Sequence, residues 1–126
     1  MRLIIAAALI VAGIIHLLPL SGVLGSSKLA ALYGLNFDEP NLALLMRHRA
    51  VLFGLLGVFL LIAAFRPAWQ LAALLAGLVS VAAFLALAWS GPGYNAPIAR
   101  VVVADGIALA CLLAGLAAHA WLRWHR

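Results

Sequence analysis

Four apolar runs leave this chain almost no choice of solvent. Leu3 to Leu20, about Pro40 to Phe65, Ala68 to Trp89 and about Pro97 to Leu122 each reach the length a helix needs to cross the roughly 30 Å hydrocarbon core of a bilayer. They use up most of the 126 residues, so no length remains for a soluble domain. Composition agrees, with 68% hydrophobic residues, 9% charged and a mean hydropathy of +1.22, outside the soluble range. The expected fold is all-α and integral to the membrane. It is an antiparallel four-transmembrane-helix bundle, one domain over residues 1–126, with a short interfacial helix between the first two spans. Leu3 to Leu20 follows Met-Arg as a signal peptide would, but it is long for a signal core and no A-x-A site follows, so it reads as the first span.

A net charge of +5 would suggest nucleic acid in a soluble protein. Here Arg2, Lys28, Arg47, Arg49, Arg66, Arg100, Arg123 and Arg126 are scattered at span ends, which is membrane topology and excludes a nucleic-acid patch. An even number of spans puts both termini on one side with Arg2, Arg66, Arg123 and Arg126, against Lys28, Arg47, Arg49 and Arg100 opposite. Asp38 and Glu39 share the Lys28 side, and Arg47, Arg49 and Arg100 abut apolar helix. The tie therefore breaks towards termini in the cytoplasm.

The second span carries the densest charge. Ala50 to Phe65 alone would rise only about 24 Å, so the helix must extend back through Arg47, with its start near Asp38 to Pro40. Successive residues rotate by roughly 100°, so Arg47, His48 and Arg49 cannot all face one neighbour. Ala50, Gly54, Gly57 and Leu61 form a small-residue face for close helix approach, and Arg47 borders it. His48 and Arg49 point away from that face, which fits snorkelling to the interface.

In the first span Ala12, Gly13 and His16 share a face, which places the histidine in the bundle, either as a neutral core group bonded to a carbonyl or as a ligand or proton site. Ser26 to Gly34 reads as a short helix with a serine cap, apolar positions at Leu29, Leu32 and Tyr33, and a terminating glycine. It lies over the bundle mouth as a covering connector or, on the sharper reading, a lid. Phe65 to Gln70 is a tight turn with Trp69 at the interface. The third span offers Ala73, Gly77 and Ser80 as a small-residue series and no visible chemistry. Trp89 to Pro97 is a loop anchored by Trp89 and Tyr94, and the fourth span presents Ala104, Ala108, Cys111 and Gly115 as its small face. These small faces also suit a homo-oligomer. Cys111 is the single cysteine, so no intrachain disulfide or metal-ligand spacing exists.

An up-down bundle brings His16, Arg47, His48, Tyr94, Asn95, Arg100 and Asp105 into one half. Asp105 is the only acid well inside a span and should be neutralised, paired or protonated there. Arg100 sits at the wrong angle on the same helix, so Arg47 is the expected partner, with His16 next. Such a cluster is either a structural ion pair or a ligand-binding pocket for an anionic headgroup, a quinone-like or isoprenoid molecule, or a proton-coupled substrate. The first alternative makes the protein a structural or accessory subunit without its own ligand. The second makes it a binding protein for a lipid or a hydrophobic or anionic small molecule, with transport as one use. HExxH, GxSxG, P-loop and CxxC motifs are missing, so nothing points to an enzyme or to a particular cofactor, and the apolar inner halves of spans two and four argue against a monomeric channel.

The stretch KLAALYGLNFDEPNLALLMRHRAVLFGLLGVFLLIAAFRP, with its LYGL segment, acidic turn and arginine entering a glycine-containing span, resembles small four-helix bacterial inner-membrane proteins of the DoxX-like kind. That resemblance covers about a third of the chain. It implies a multi-pass location in the bacterial inner membrane and brings no activity. Chains of this look are sometimes labelled phosphopantetheine adenylyltransferase, a soluble nucleotide-binding α/β enzyme with a Gly-His phosphate motif. Here His16, His48, His119 and His125 follow Ile15, Arg47, Ala118 and Trp124, so the motif is missing.

Overall fold

The structure is a computed structural model that describes all 126 residues, Met1 to Arg126. It is helical with no strand: α1 (Arg2–Leu17), a 3₁₀ segment (Leu18–Leu24), α2 (Ser26–Tyr33), α3 (Pro40–Ala64), α4 (Pro67–Ser90) and α5 (Ala96–Trp124). Four helices, the first counted through the 3₁₀ segment, are long and apolar enough to cross a membrane.

Local chemistry sets the boundaries. Pro19 has no N–H to give Ile15, and its ring crowds that carbonyl, so the α-helix tightens into 3₁₀ at Leu18. Gly25 then turns the chain with φ 138°, and α2 begins directly after it. The expected serine cap is not made: the cap position falls on Gly25, and no side chain bonds the first turn of α2. At the other end Gly34 takes the left-handed conformation, φ 67°, and its N–H bonds the Ala30 carbonyl. Pro40 and Pro67 open α3 and α4 where a missing N–H costs nothing. Glu39 caps α3 by accepting from the Asn41 and Leu42 N–H groups, and Asn95 caps α5 by accepting from Ile98. Gln70 of α4 reaches back across the tight turn to bond the Ala64 carbonyl at the end of α3.

Small residues let the helices meet. A Cβ added at Gly57 would lie 2.9 Å from the Gly13 carbonyl oxygen, so the α1 and α3 backbones touch there. The contacts run in opposite order along the two helices, Gly13 against Leu61 and Gly57, then Leu17 against Gly57, then Leu20 against Gly54. Gly115 of α5 receives Ala8 and Leu74 in the same way, and Gly77 of α4 receives Leu112 and Leu60. The buried core includes Ile5, Leu9, Leu60, Leu74, Val81 and Leu112. These glycine faces, on which the sequence suggests an oligomer, are used within one chain.

Only 22% to 33% of each apolar window is buried inside the chain. Leu3, Leu24, Val79, Leu87 and Trp89 are instead among the large apolar side chains left exposed. A smaller cluster of Leu29, Tyr33 and Phe37 packs on Met46, Ile98 and Val101, and so folds α2 back over the starts of α3 and α5.

A polar cavity under the short helix

The fold leaves a gap where α2 covers the bundle. One to two turns beyond the Gly13–Gly57 contact, His16 of α1 and Phe53 and Arg49 of α3 stand beside the glycine seam, and a cavity of about 220 Å³ opens between α1, the 3₁₀ segment, α2, α3 and α5. Its polar lining is His16, Tyr33, Arg49, Arg100 and Asp105, with Phe53 and Pro97 among the apolar walls.

His16 is 2% exposed and fixed at both ring nitrogens. Nδ1 lies 2.7 Å from the Ala12 carbonyl, which can only accept, so Nδ1 carries the proton. Nε2 lies 3.0 Å from Ser80 Oγ on α4, and in the neutral tautomer it accepts from that hydroxyl. The ring also sits against Phe53, with centroids 5.7 Å apart. The carbonyl bond matches the core reading of this histidine. Its second partner, Ser80, is 64 residues away: of the two partners open to that hydroxyl, its own backbone or a neighbouring helix, it takes the neighbour.

Arg49 is the organising cation. Its Nη1 donates to the Tyr33 hydroxyl at 2.6 Å, and its guanidinium lies 4.5 Å from the Phe53 ring centroid and 5.4 Å from that of Tyr33. Tyr33 is held in turn by Asn95, whose Nδ2 donates to the Tyr33 carbonyl at 2.9 Å and ties the end of α2 to the start of α5. Snorkelling to the interface is therefore not what Arg49 does: α2 supplies an inward partner.

Asp105 is 7% exposed and makes no hydrogen bond or ion pair within the chain. No buried side-chain oxygen is both sealed off and unpartnered, so its carboxylate opens on the cavity. The expected pair with Arg47 is corrected by the structure: Arg47 is exposed, and its Nε donates to the Val23 carbonyl at 2.8 Å. The α3 cation that shares a cavity with Asp105 is Arg49. Depth explains the substitution, because Arg49 and Asp105 each lie nine residues from the start of their helix.

Of the other candidate residues, Arg100 lines the cavity from α5 and is itself exposed, which places it at the cavity's rim. Asn95 braces α2 without lining the cavity. His48 is exposed on α3 and lines none of the larger cavities. Tyr94 lines a separate open depression with Trp89 and Leu85, on the α4 and α5 side. No three His, Cys, Asp or Glu side chains come together as metal ligands. Comparison with protein-family models, with curated proteins and with solved structures finds no match.

Proposed function

We propose that the chain is an antiparallel four-span membrane protein that binds a small amphiphilic molecule or lipid with an anionic headgroup in the cavity beneath α2. One observation carries the reading. A carboxylate buried at Asp105 without a partner shares a cavity with Arg49 and Arg100, and leaving a charge unpaired in such a place costs several kcal/mol, so the arrangement is built for a ligand that completes it. A purely structural polar cluster would have closed on itself. The exposed apolar surface supports insertion, and the placement of basic residues supports termini in the cytoplasm, with α2 on the far side of a bacterial inner membrane. The resemblance to DoxX-like proteins is compatible with this reading, as is a role as a transport component.

Native mass spectrometry of the protein extracted with its lipids tests the proposal. A defined amphiphile should co-purify and be lost from Arg49→Ala and Arg100→Ala. A bare protein accompanied by a constant partner protein would instead favour an accessory subunit. Orientation is checked by cysteine-accessibility labelling in cells: positions 28 and 94 should label from one side and position 66 from the other, and shared labelling of 28 and 66 would sink the topology.

A further inference from the structure

The polar cavity has an apolar neighbour. Beyond Tyr33 and Arg49 lies a second cavity of about 320 Å³ whose walls include Leu35, Phe37, Leu42, Met46, Phe84 and Ile98. The two cavities share Tyr33, Arg49 and Val101, so a polar and an apolar compartment adjoin at the hydrogen-bonded Tyr33 and Arg49. We propose that the two are the head and chain compartments of one lipid site, and that its occupant is a monoanionic phospholipid with hydroxyls on its headgroup, of the phosphatidylglycerol kind. This rests on the reading of the polar cavity as a ligand site.

Charge and hydrogen-bonding capacity select that class. Arg49 and Arg100 bring two positive charges and Asp105 one negative, so a ligand with one net negative charge neutralises the site. His16 offers nothing, because both its nitrogens are used by Ala12 and Ser80. The arginines match a phosphodiester, and the Tyr33 hydroxyl, which accepts from Arg49, keeps its own proton to donate. Asp105 then needs a donor. A bare phosphate head would leave it unpaired and repelled, and a quaternary ammonium has no N–H to give. An ethanolamine head has one but adds a positive charge, leaving the site with an excess. A hydroxyl donates to Asp105 and adds no charge. The cavity of about 220 Å³ corresponds to roughly seven water volumes, room for a phosphate and a short polyol. The proximal part of one acyl chain fits next door, where the walls are almost wholly apolar, and the rest of the lipid's hydrocarbon extends out of the open cavity into the bilayer.

Competition by native mass spectrometry in detergent tests this with four probes: phosphatidylglycerol, phosphatidylmethanol, phosphatidylethanolamine and soluble sn-glycerol 3-phosphate. Phosphatidylmethanol has the same charge as phosphatidylglycerol and lacks its hydroxyls. The parent should prefer phosphatidylglycerol over it by about tenfold or more, the worth of a hydrogen bond to a charged group. Asp105→Ala should abolish that preference while phosphatidylmethanol still binds, and the isosteric Asp105→Asn should reduce it. Met46→Trp fills the apolar compartment without touching the polar one, and should weaken the lipid but not glycerol phosphate; Ile98→Phe serves if that variant does not fold. Equal binding of the two anionic lipids, preference for phosphatidylethanolamine, or glycerol phosphate competing as well as the lipid would each overturn the proposal. The basic cavity at the opposite end, framed by Arg2, Arg123, Arg126 and His119, is lined by no Asp or Glu side chain, and a preference that arose there would survive Asp105→Ala. If Arg100→Ala still releases a bound amphiphile while the two anionic lipids bind equally, the headgroup assignment falls and the ligand site stands. If no amphiphile depends on Arg100 or Arg49, both fall.

Discussion

At Gly13 and Gly57 the backbones of α1 and α3 touch, and one turn further along the same two helices His16 and Phe53 hold them apart around a cavity. The first region is closed by what its residues lack, since glycine and alanine let main chains approach within van der Waals contact. The second is held open by what its residues carry: an imidazole, a guanidinium and an unpaired carboxylate, braced by a short helix from outside the bundle. Lipid tails are as apolar as leucine, so helices in a membrane gain by packing and not by leaving water. The closed region therefore has to supply the stability that the open one gives up.

Removing a side chain from each region measures that division most directly. Leu112, fully buried between Gly77 and the α4 core, should cost about 3 kcal/mol when changed to Ala, because the surrounding small-residue contacts cannot collapse into the void. Met46→Ala, which only enlarges an existing cavity, should cost well under that. Reversible unfolding in mixed micelles reads both, and equal losses would erase the distinction between the two regions.

Adding a methyl group is the complementary test. Gly57→Ala puts a Cβ 2.9 Å from a backbone oxygen that has no freedom to move, and overpacking of this kind costs about 1–3 kcal/mol. At Gly106 an added Cβ would meet nothing within 4 Å, so Gly106→Ala should be neutral or gain up to about 1 kcal/mol from helix propensity, despite sitting beside Asp105. A third change, Ser80→Ala, leaves the buried His16 Nε2 without its donor and should cost about 1 kcal/mol by the same assay. An unchanged stability would mean that the ring finds water from the cavity instead.

What was legible in the sequence follows from whether its cause is local. Pro40, Pro67 and Pro97 mark helix starts by chemistry that acts within one turn, and the three later spans begin and end within two residues of the positions their sequence indicates. Gly34 ends α2 for an equally local reason. The cavity is a different matter. His16, Arg100 and Asp105 could be placed in one half of the bundle from topology, but the pairing with Arg47 rested on that residue's nearness to the Gly54 and Gly57 face. The signal that distinguishes Arg49 is the row Arg49, Phe53, Leu56 and Leu60, which runs at helical spacing into a fully buried leucine and so marks Arg49 as the end of a core stripe. Tyr33, which makes the inward position tolerable for a cation, arrives by the folding back of α2, and Ser80 reaches His16 across two helices; no window along the chain contains either contact.

The smallest effect should come from the edge of the open region, at Glu39. Its carboxylate accepts from the Leu42 and Asn41 backbone N–H groups at 2.7 Å and 3.1 Å, and those bonds, Leu42 first, hold it below the usual glutamate range. The charge also faces the positive end of the α3 dipole. A group whose folded value is depressed contributes stability that is present in full above its unfolded value and disappears as pH falls through the folded one. Glu39→Gln keeps an acceptor oxygen and loses the charge, so the parent should exceed it slightly at neutral pH, and the two should converge as the pH drops below the ordinary carboxylate range. Comparing parent with variant at each pH cancels the titration of every other group. Because Glu39 is fully exposed, the difference should also shrink with added salt. A gap that persisted into acid would assign the cap to geometry alone, and would make the entrance to α3 as indifferent to charge as the glycine contacts further along it.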